Sequence, residues 1–141
     1  AGHLLIDKWI PIIIREIALF DRRGFNEILK NNREGISSAS LASRMQHMVQ
    51  LGLLRVEKAD DHAQKKNYFL TEAGIAFVPI LFHLASWTAE FRNPAPDIVE
   101  LTSPFHSGDD DLKKKLLERL HQIHVTKTIE PTPLWWLADN L

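Results

Sequence analysis

The chain has 141 residues, 45% of them hydrophobic, which is enough for one real core and makes a single domain the default expectation. Seventeen Lys and Arg against eighteen Asp and Glu leave a formal charge of −1, excluding the bulk positive field of a protein that coats nucleic acid indiscriminately; any basic surface must be local. There is no cysteine, so disulfides, thiol sensing and cysteine-ligated zinc are excluded together, and a reducing cytoplasm is the expected location.

Asp7 can cap a first helix in which Pro11 sits in the first turn, where a missing N–H costs little. The run IPIIIREIALF (10–20) is apolar on more than one side and predicts a helix buried between other elements. DRRG (21–24) is a turn signal, and FNEILKNNR (25–33) predicts a short helix with Phe25, Ile28 and Leu29 at core spacing. In GISSASLASRMQHMVQLGLL (35–54), Ser37 or Ser38 is a good N-cap. Leu41, Met45 and Met48 repeat at i, i+4, i+7 as a buried stripe, and Gly52 supplies the left-handed residue that ends the helix. With that stripe inward, Ala39, Ser40, Ser43, Gln46, His47 and Gln50 fall on the exposed side. This face is polar but nearly uncharged, where a solvated helix normally carries Lys and Glu.

LLRVEK (53–58) and NYFL (67–70) predict the two strands of a hairpin, with ADDHAQKK (59–66) as its long polar tip. Thr71 caps a long helix, EAGIAFVPILFHLASWTAEFR (72–92), which Pro79 should kink. The apolar run from Ile75 is shorter than the roughly 20 residues needed to cross a bilayer and is interrupted by His83, so no membrane span is expected. No signal-peptide pattern is visible. The helix is apolar nearly all round, more than one small domain can bury, and a second copy of the chain is its natural partner.

Beyond Arg92 the composition changes. NPAPDIVELTSPFHSG (93–108) reads as a Pro-punctuated connector, and DDDLKKKLLERLHQIH (109–124) as a helix with an acidic first turn and an apolar stripe of Leu112, Leu116, Leu120 and Ile123. EPTPLWWLADNL (130–141) is too Pro-rich to be helical throughout. The expected organisation is a first part over residues 1–92 and a C-terminal extension over 93–141 with one amphipathic helix and a tryptophan tail.

Helix, helix, helix, hairpin, helix is the order of a winged helix-turn-helix, mainly α with a small β-hairpin wing. The blocks DKWIPIIIREI (7–17), RRGFNEIL (22–29), GISSASLASRMQHMVQLGLL (35–54), NYFLTEAG (67–74) and VPILFHLASW (78–87) resemble the HxlR family of bacterial, MarR-like winged-helix transcription regulators. The resemblance covers about the first two thirds of the chain and rests on five blocks in the right order. It implies that the third helix enters the major groove of double-stranded DNA and that the wing touches the flanking backbone. The first and post-wing helices, around Ile12 to Leu19 and Ile75 to Phe91, would build a homodimer. Carried onto this sequence, the DNA-facing positions are Ser37, Ser38, Ala39, Ser40, Ser43, Arg44, Gln46 and His47, with Lys65 and Lys66 at the base of the wing and Arg22 and Arg23 adding charge. Ser, Gln and His can exchange hydrogen bonds with base edges, Arg44 can reach a phosphate, and acids are absent because a phosphate-lined groove would repel them.

The chain departs from the family pattern at Asp60 and Asp61 in the wing tip, in lacking the N-terminal cysteine that some members use as a sensor, and in its longer C-terminal part. Trp9 and Trp87 fall in the matching blocks and are expected in or near the core. Met45 and Met48 are core filling rather than a ligand site. His83 is expected to be hydrogen-bonded at the dimer interface, and His62, in the wing, to meet phosphate or solvent. His121 and His124, at i, i+3 with no carboxylate at a convincing third position, read as a surface pair rather than a metal site. Trp135 and Trp136 either staple the tail back or wall a pocket for a small apolar effector.

No phosphate-cradling glycine loop, serine elbow, paired buried carboxylates or zinc spacing stands in the sequence, so neither an enzyme nor a cofactor or metal is expected. The function expected is sequence-specific DNA binding in transcriptional control, by a homodimer on a pseudo-palindromic operator. The alternatives are a protein-interaction module using the acidic wing and the tail, and a ligand-responsive sensor with an effector near the tail tryptophans.

Overall fold

The structure, a computed structural model, describes residues 7–59, 64–105 and 110–131. Its elements in chain order are α1 (Trp9–Phe20), α2 (Phe25–Asn31), α3 (Ser38–Gln50), β1 (Leu54–Lys58), β2 (Lys66–Leu70), α4 (Glu72–Phe91), α5 (Pro96–Thr102), a 3₁₀ turn (Ser103–Phe105) and α6 (Asp110–His124). This is a winged helix-turn-helix followed by further helices.

Local chemistry explains the boundaries. The Asp7 carboxylate accepts the Trp9 N–H at 3.0 Å, tying off the start of α1. Asp21 ends it in the left-handed region at φ 51°, and the Arg22 N–H reaches back to the Glu16 carbonyl at 3.1 Å. Between α2 and α3, Asn32 holds the turn with one side chain. Its amide donates to the carbonyls of Ile28 (2.9 Å) and Leu29 (3.1 Å), and its oxygen accepts the Ile36 N–H at 2.9 Å. Ser37 caps α3 by accepting the Ser40 N–H at 3.1 Å, and Gly52 lies past its end at φ +73°.

The strands pair antiparallel in the register Leu54 with Leu70, Val56 with Tyr68 and Lys58 with Lys66. A bridge from Gly24 to Asn67, and the Tyr68 N–H donating to the Arg23 carbonyl at 2.8 Å, place the α1–α2 turn along the outer edge of β2. Thr71 caps α4 by accepting the Gly74 N–H at 3.1 Å. Gly74 has to be glycine, because a Cβ there would stand 2.3 Å from the Leu53 carbonyl oxygen.

The core joins Ile10, Ile13, Ile14 and Ile17 of α1 to Ile28, to Leu41, Met45 and Met48 of α3, to Leu54 and Leu70 of the wing root, and to Val78 and Phe82 of α4. Phe105, Leu116 and Leu120 belong to the same cluster, with Phe105 stacked on Phe82 at 4.4 Å between ring centres. Residues beyond Arg92 are therefore continuous with the core of the first 92.

Several expectations change. The segment read as a connector contains α5, because Pro96 stands at the first helical position, where it starts a helix instead of breaking one. Helix α4 spans 20 residues with Pro79 inside it, as the expected long helix does. By length and composition it can cross a bilayer, contrary to the shorter run read from Ile75. Its Gly74, Ile75, Phe77, Val78 and Phe82, however, are buried inside the chain. Trp87 is 51% exposed rather than in the core, its ring tilted against Phe91 at 5.7 Å with the Arg92 guanidinium 5.1 Å from it. His124 is not a surface histidine: it is buried, while His121 reaches the Glu72 carboxylate separately at 3.3 Å.

Candidate nucleic-acid interface

Helix α3 buries Leu41, Met45 and Met48 and presents Ser38, Ala39, Ser43, Gln46, His47 and Gln50 to solvent. Ser37, at its cap, is exposed too, whereas Ser40 and Arg44 are half-buried. None of the 13 residues of α3 is acidic. Burial of the apolar stripe fixes the rotation of the helix, so the polar face points out as a consequence of packing.

Across from this face stands the wing. Between them runs a groove of about 820 Å³, bordered by Ala42, Gln46, Val49 and Gln50 on α3 and by Val56, Gln64, Lys65, Lys66 and Tyr68 on the hairpin, with Asn26 and Glu27 of α2 at one end. Lys65 and Lys66 are exposed, and the Lys65 carbonyl accepts the Ala59 N–H at 2.8 Å, which closes the described part of the hairpin. Two ammonium groups thus flank a groove whose opposite wall carries the amides of Gln46 and Gln50 between Ala42 and Val49, while Ser37, Ser38, Ala39, Ser40, Ser43, Arg44 and His47 lie outside its lining. Asp60, Asp61 and His62 of the wing tip, and Trp135 and Trp136 of the tail, lie outside the described residues.

The arginines divide differently from their sequence reading. Arg44 is engaged by Asp7 at 2.5 Å, an ion pair that links α3 to the start of α1. Arg22 is held by Glu16, which is 1% exposed, at 2.5 Å, and also donates to the Asn31 carbonyl at 3.3 Å. Arg15 takes the other Glu16 oxygen at 2.8 Å and grips Glu34 at 2.8 and 3.0 Å. The hydrogen bond from Arg15 holds the Glu34 carboxyl below the usual carboxylate range. A carboxylate as buried as Glu16 needs both guanidinium partners, so Arg22 serves the fold rather than a phosphate. Arg23 pairs with Asp21 at 3.2 Å and lies 5.1 Å from the Phe69 ring.

Sequence reasoning missed Glu16, Asn32 and His124 as organising residues. The signal for Glu16 was visible as one acid inside an apolar helix with arginines one residue before and six after it. For Asn32, no local pattern distinguishes a side chain that spans a turn from one that is solvated.

Residues 4–96 match the family model described as HxlR-like helix-turn-helix. The chain is 35% identical over 118 residues to an uncharacterised HTH-type transcriptional regulator of Mycobacterium tuberculosis (strain CDC 1551 / Oshkosh), a match covering 83% of this chain and 72% of that one. An uncharacterised HTH-type transcriptional regulator of Mycobacterium bovis is 34% identical with the same coverage. Among solved structures, the chain is similar to that of PA1607, a candidate transcription factor, at a TM-score of 0.56 and 27% identity. That match takes in 67% of this chain and 63% of the other, somewhat under two thirds of its length.

Proposed function

The chain belongs to the HxlR-like helix-turn-helix family and is a transcriptional regulator with a helix-turn-helix DNA-binding domain; from that premise we propose that it acts as a homodimer on a pseudo-palindromic operator. The observation that carries this reading is the pairing of an exposed, acid-free α3 face with a lysine-bearing wing across one groove. In the assigned pose α3 lies in the major groove. Ser43, Gln46 and His47 exchange hydrogen bonds with base edges, and Ser37, Ser38, Ala39 and Ser40 bring the start of the helix against the backbone. Lys65 and Lys66 neutralise flanking phosphates. Arg44 reaches the backbone by exchanging Asp7 for a phosphate, a like-for-like trade of anionic partners.

Dimerisation is supported by the outer face of α4. Ile80, Leu84, Trp87 and Phe91 recur at i, i+4, i+7, i+11 and stand 38–55% exposed, a continuous apolar stripe on one side of the helix. Helix α1 offers less, since most of its isoleucines are buried in its own chain, with Ile12 the half-exposed exception. A twofold pair of α4 helices would set two α3 helices at half-sites about one turn of DNA apart. In this division residues 1–92 carry DNA binding and dimerisation, and 93–141 act as the supporting extension.

The test is to incubate the purified chain with sheared genomic DNA at physiological salt and sequence what it retains. Enrichment of a short inverted repeat is the expected result. A folded, dimeric protein that enriches nothing would overturn the reading.

A second reading, gating by a small apolar effector, draws on a crevice of about 200 Å³ between α1, α4 and α5, walled by Ile12, Leu81, Leu84, Ile98 and Val99. Its one guanidinium, Arg15, is already committed to two carboxylates, so an uncharged ligand suits it. A change in Trp9 or Trp87 fluorescence with small aromatic hydrocarbons, absent in a Val99→Arg variant, is the expected signature.

A further inference from the structure

We propose that the C-terminal end of α6 positions the wing for DNA, with His124, Lys127 and the wing residues Arg55 and Glu57 as positioning residues; the proposal rests on the DNA-binding reading above. A two-stranded hairpin is marginally stable on its own, so its direction depends on what holds its root. Here each strand has its own attachment to the end of α6. On β2, the Leu70 N–H donates to His124 Nδ1 at 3.3 Å, and the imidazole meets Phe69 edge-on at 5.9 Å. The Leu70 bond makes Nδ1 an acceptor, so the ring proton belongs on Nε2. On β1, Arg55 donates to the His124 carbonyl, and Glu57 pairs with the Lys127 ammonium.

The end of α6 is shaped for this role. Lys127 takes the left-handed conformation at φ 52°, which turns the chain back toward the sheet at some strain for a residue with a side chain. Its ammonium then sits 4.6 Å from the centre of the Phe69 ring, which Arg55 approaches at 4.9 Å. Arg55, in turn, meets a helix end where free carbonyls favour a cation. Residues 124 and 127 lie beyond the 4–96 segment matched by the family model, so this support comes from the extension.

The consequence for DNA is leverage. From Leu70 to Lys66 the strand runs about 13 Å, so a tilt of roughly 10° at the root carries the lysines about 2 Å. A phosphate contact is made or lost over less than that distance.

The experiment uses the full chain and a random-sequence DNA duplex at low salt, with Glu57→Lys, Lys127→Glu and the double swap. Glu57→Lys is the decisive variant, because it adds positive charge while placing a lysine beside Arg55 and Lys127. Wing positioning predicts binding about fivefold weaker than wild type. It also predicts faster amide exchange in 54–58 and 66–70, an unchanged melting temperature, and recovery of both properties in the charge-balanced swap. Tighter binding by Glu57→Lys, with wing exchange unmoved, would overturn the proposal and show that charge alone counts. Wild-type protein that binds no duplex at all would instead overturn the DNA-binding reading, and the positioning role with it.

Discussion

Removing residues 93–141 tests whether the extension is part of the fold or an appendage to it. Phe105, Leu116, Leu120 and Ile123 are each no more than 8% exposed, and burying a side chain of this size contributes about 1.5–3 kcal/mol. Together they supply about 6–12 kcal/mol, the same order as the roughly 5–15 kcal/mol net stability of a whole domain. Truncation also strips the partner from the Leu70 N–H and uncovers Phe82. A chain ending at Arg92 is therefore expected to lack a cooperative thermal transition and a structured near-ultraviolet dichroism spectrum. The graded version is Leu120→Ala in the full chain, which should cost about 2–5 kcal/mol and lower the melting temperature by about 10 °C. A 1–92 chain that melts cooperatively within a few degrees of the full protein would refute the argument.

Burial, with Arg23 and Arg55 nearby, holds the His124 imidazole down from its ordinary 6.5 to about 3. Between those values the unfolded chain binds a proton that the folded chain refuses, so this contribution is intact above pH 6.5 and is lost on acidification. Chemical denaturation should show about 1.4 kcal/mol less stability from this group at pH 5.5 than at pH 7.5, and His124→Asn should remove that increment; an unchanged difference would contradict the assignment. Lys65→Ala with Lys66→Ala should weaken DNA binding for all sequences and lower the salt slope by about 2. Gln46→Ala should change the preferred sequence more than the bulk affinity, and a uniform loss would argue against base reading. Arg44→Ala should weaken binding evenly across sequences, as measured by fluorescence anisotropy, while unchanged affinity would leave Arg44 only its link to Asp7. If the proposed homodimer forms through α4, Leu84→Glu with Trp87→Glu should leave a folded monomer in sedimentation, and a persistent dimer would place the interface elsewhere.

What could be read without the structure was whatever depends on neighbours in the chain. Ser37 and Thr71 announce helix starts because a hydroxyl followed by a helical run has little else to do, and Gly52 announces an end because only it takes φ +73° without strain. Leu41, Met45 and Met48 fix the inward side of α3, and therefore its outward side as well, from spacing alone. The resemblance to a family of regulators came from the same residues taken in order. Lys65 and Lys66, expected at the base of the wing, stand instead at the far end of its strands, with Lys66 four residues along β2 from the Leu54–Leu70 root.

Contacts made across long separations carry no such mark. His124 looks like any histidine near a helix end until the fold brings Leu70, 54 residues earlier, within hydrogen-bond reach. Arg22 and Arg44 read as free cations because their acids, Glu16 and Asp7, are set against them by a helix end in one case and by helix packing in the other. Trp87 reads as core because it falls in a block that matches the family, yet it is 51% exposed, since the rotation of α4 decides which of its apolar residues face the core. By itself the sequence determined the order of elements of a winged helix-turn-helix and the facing of α3, since caps, periods and turns are local and additive, while the class of partner followed from the family resemblance of the five blocks. Only the tertiary structure decided which charges are already paired, that the extension completes the core, and that the wing rests on the end of α6. Those outcomes depend on which distant surfaces meet, and no local pattern encodes that.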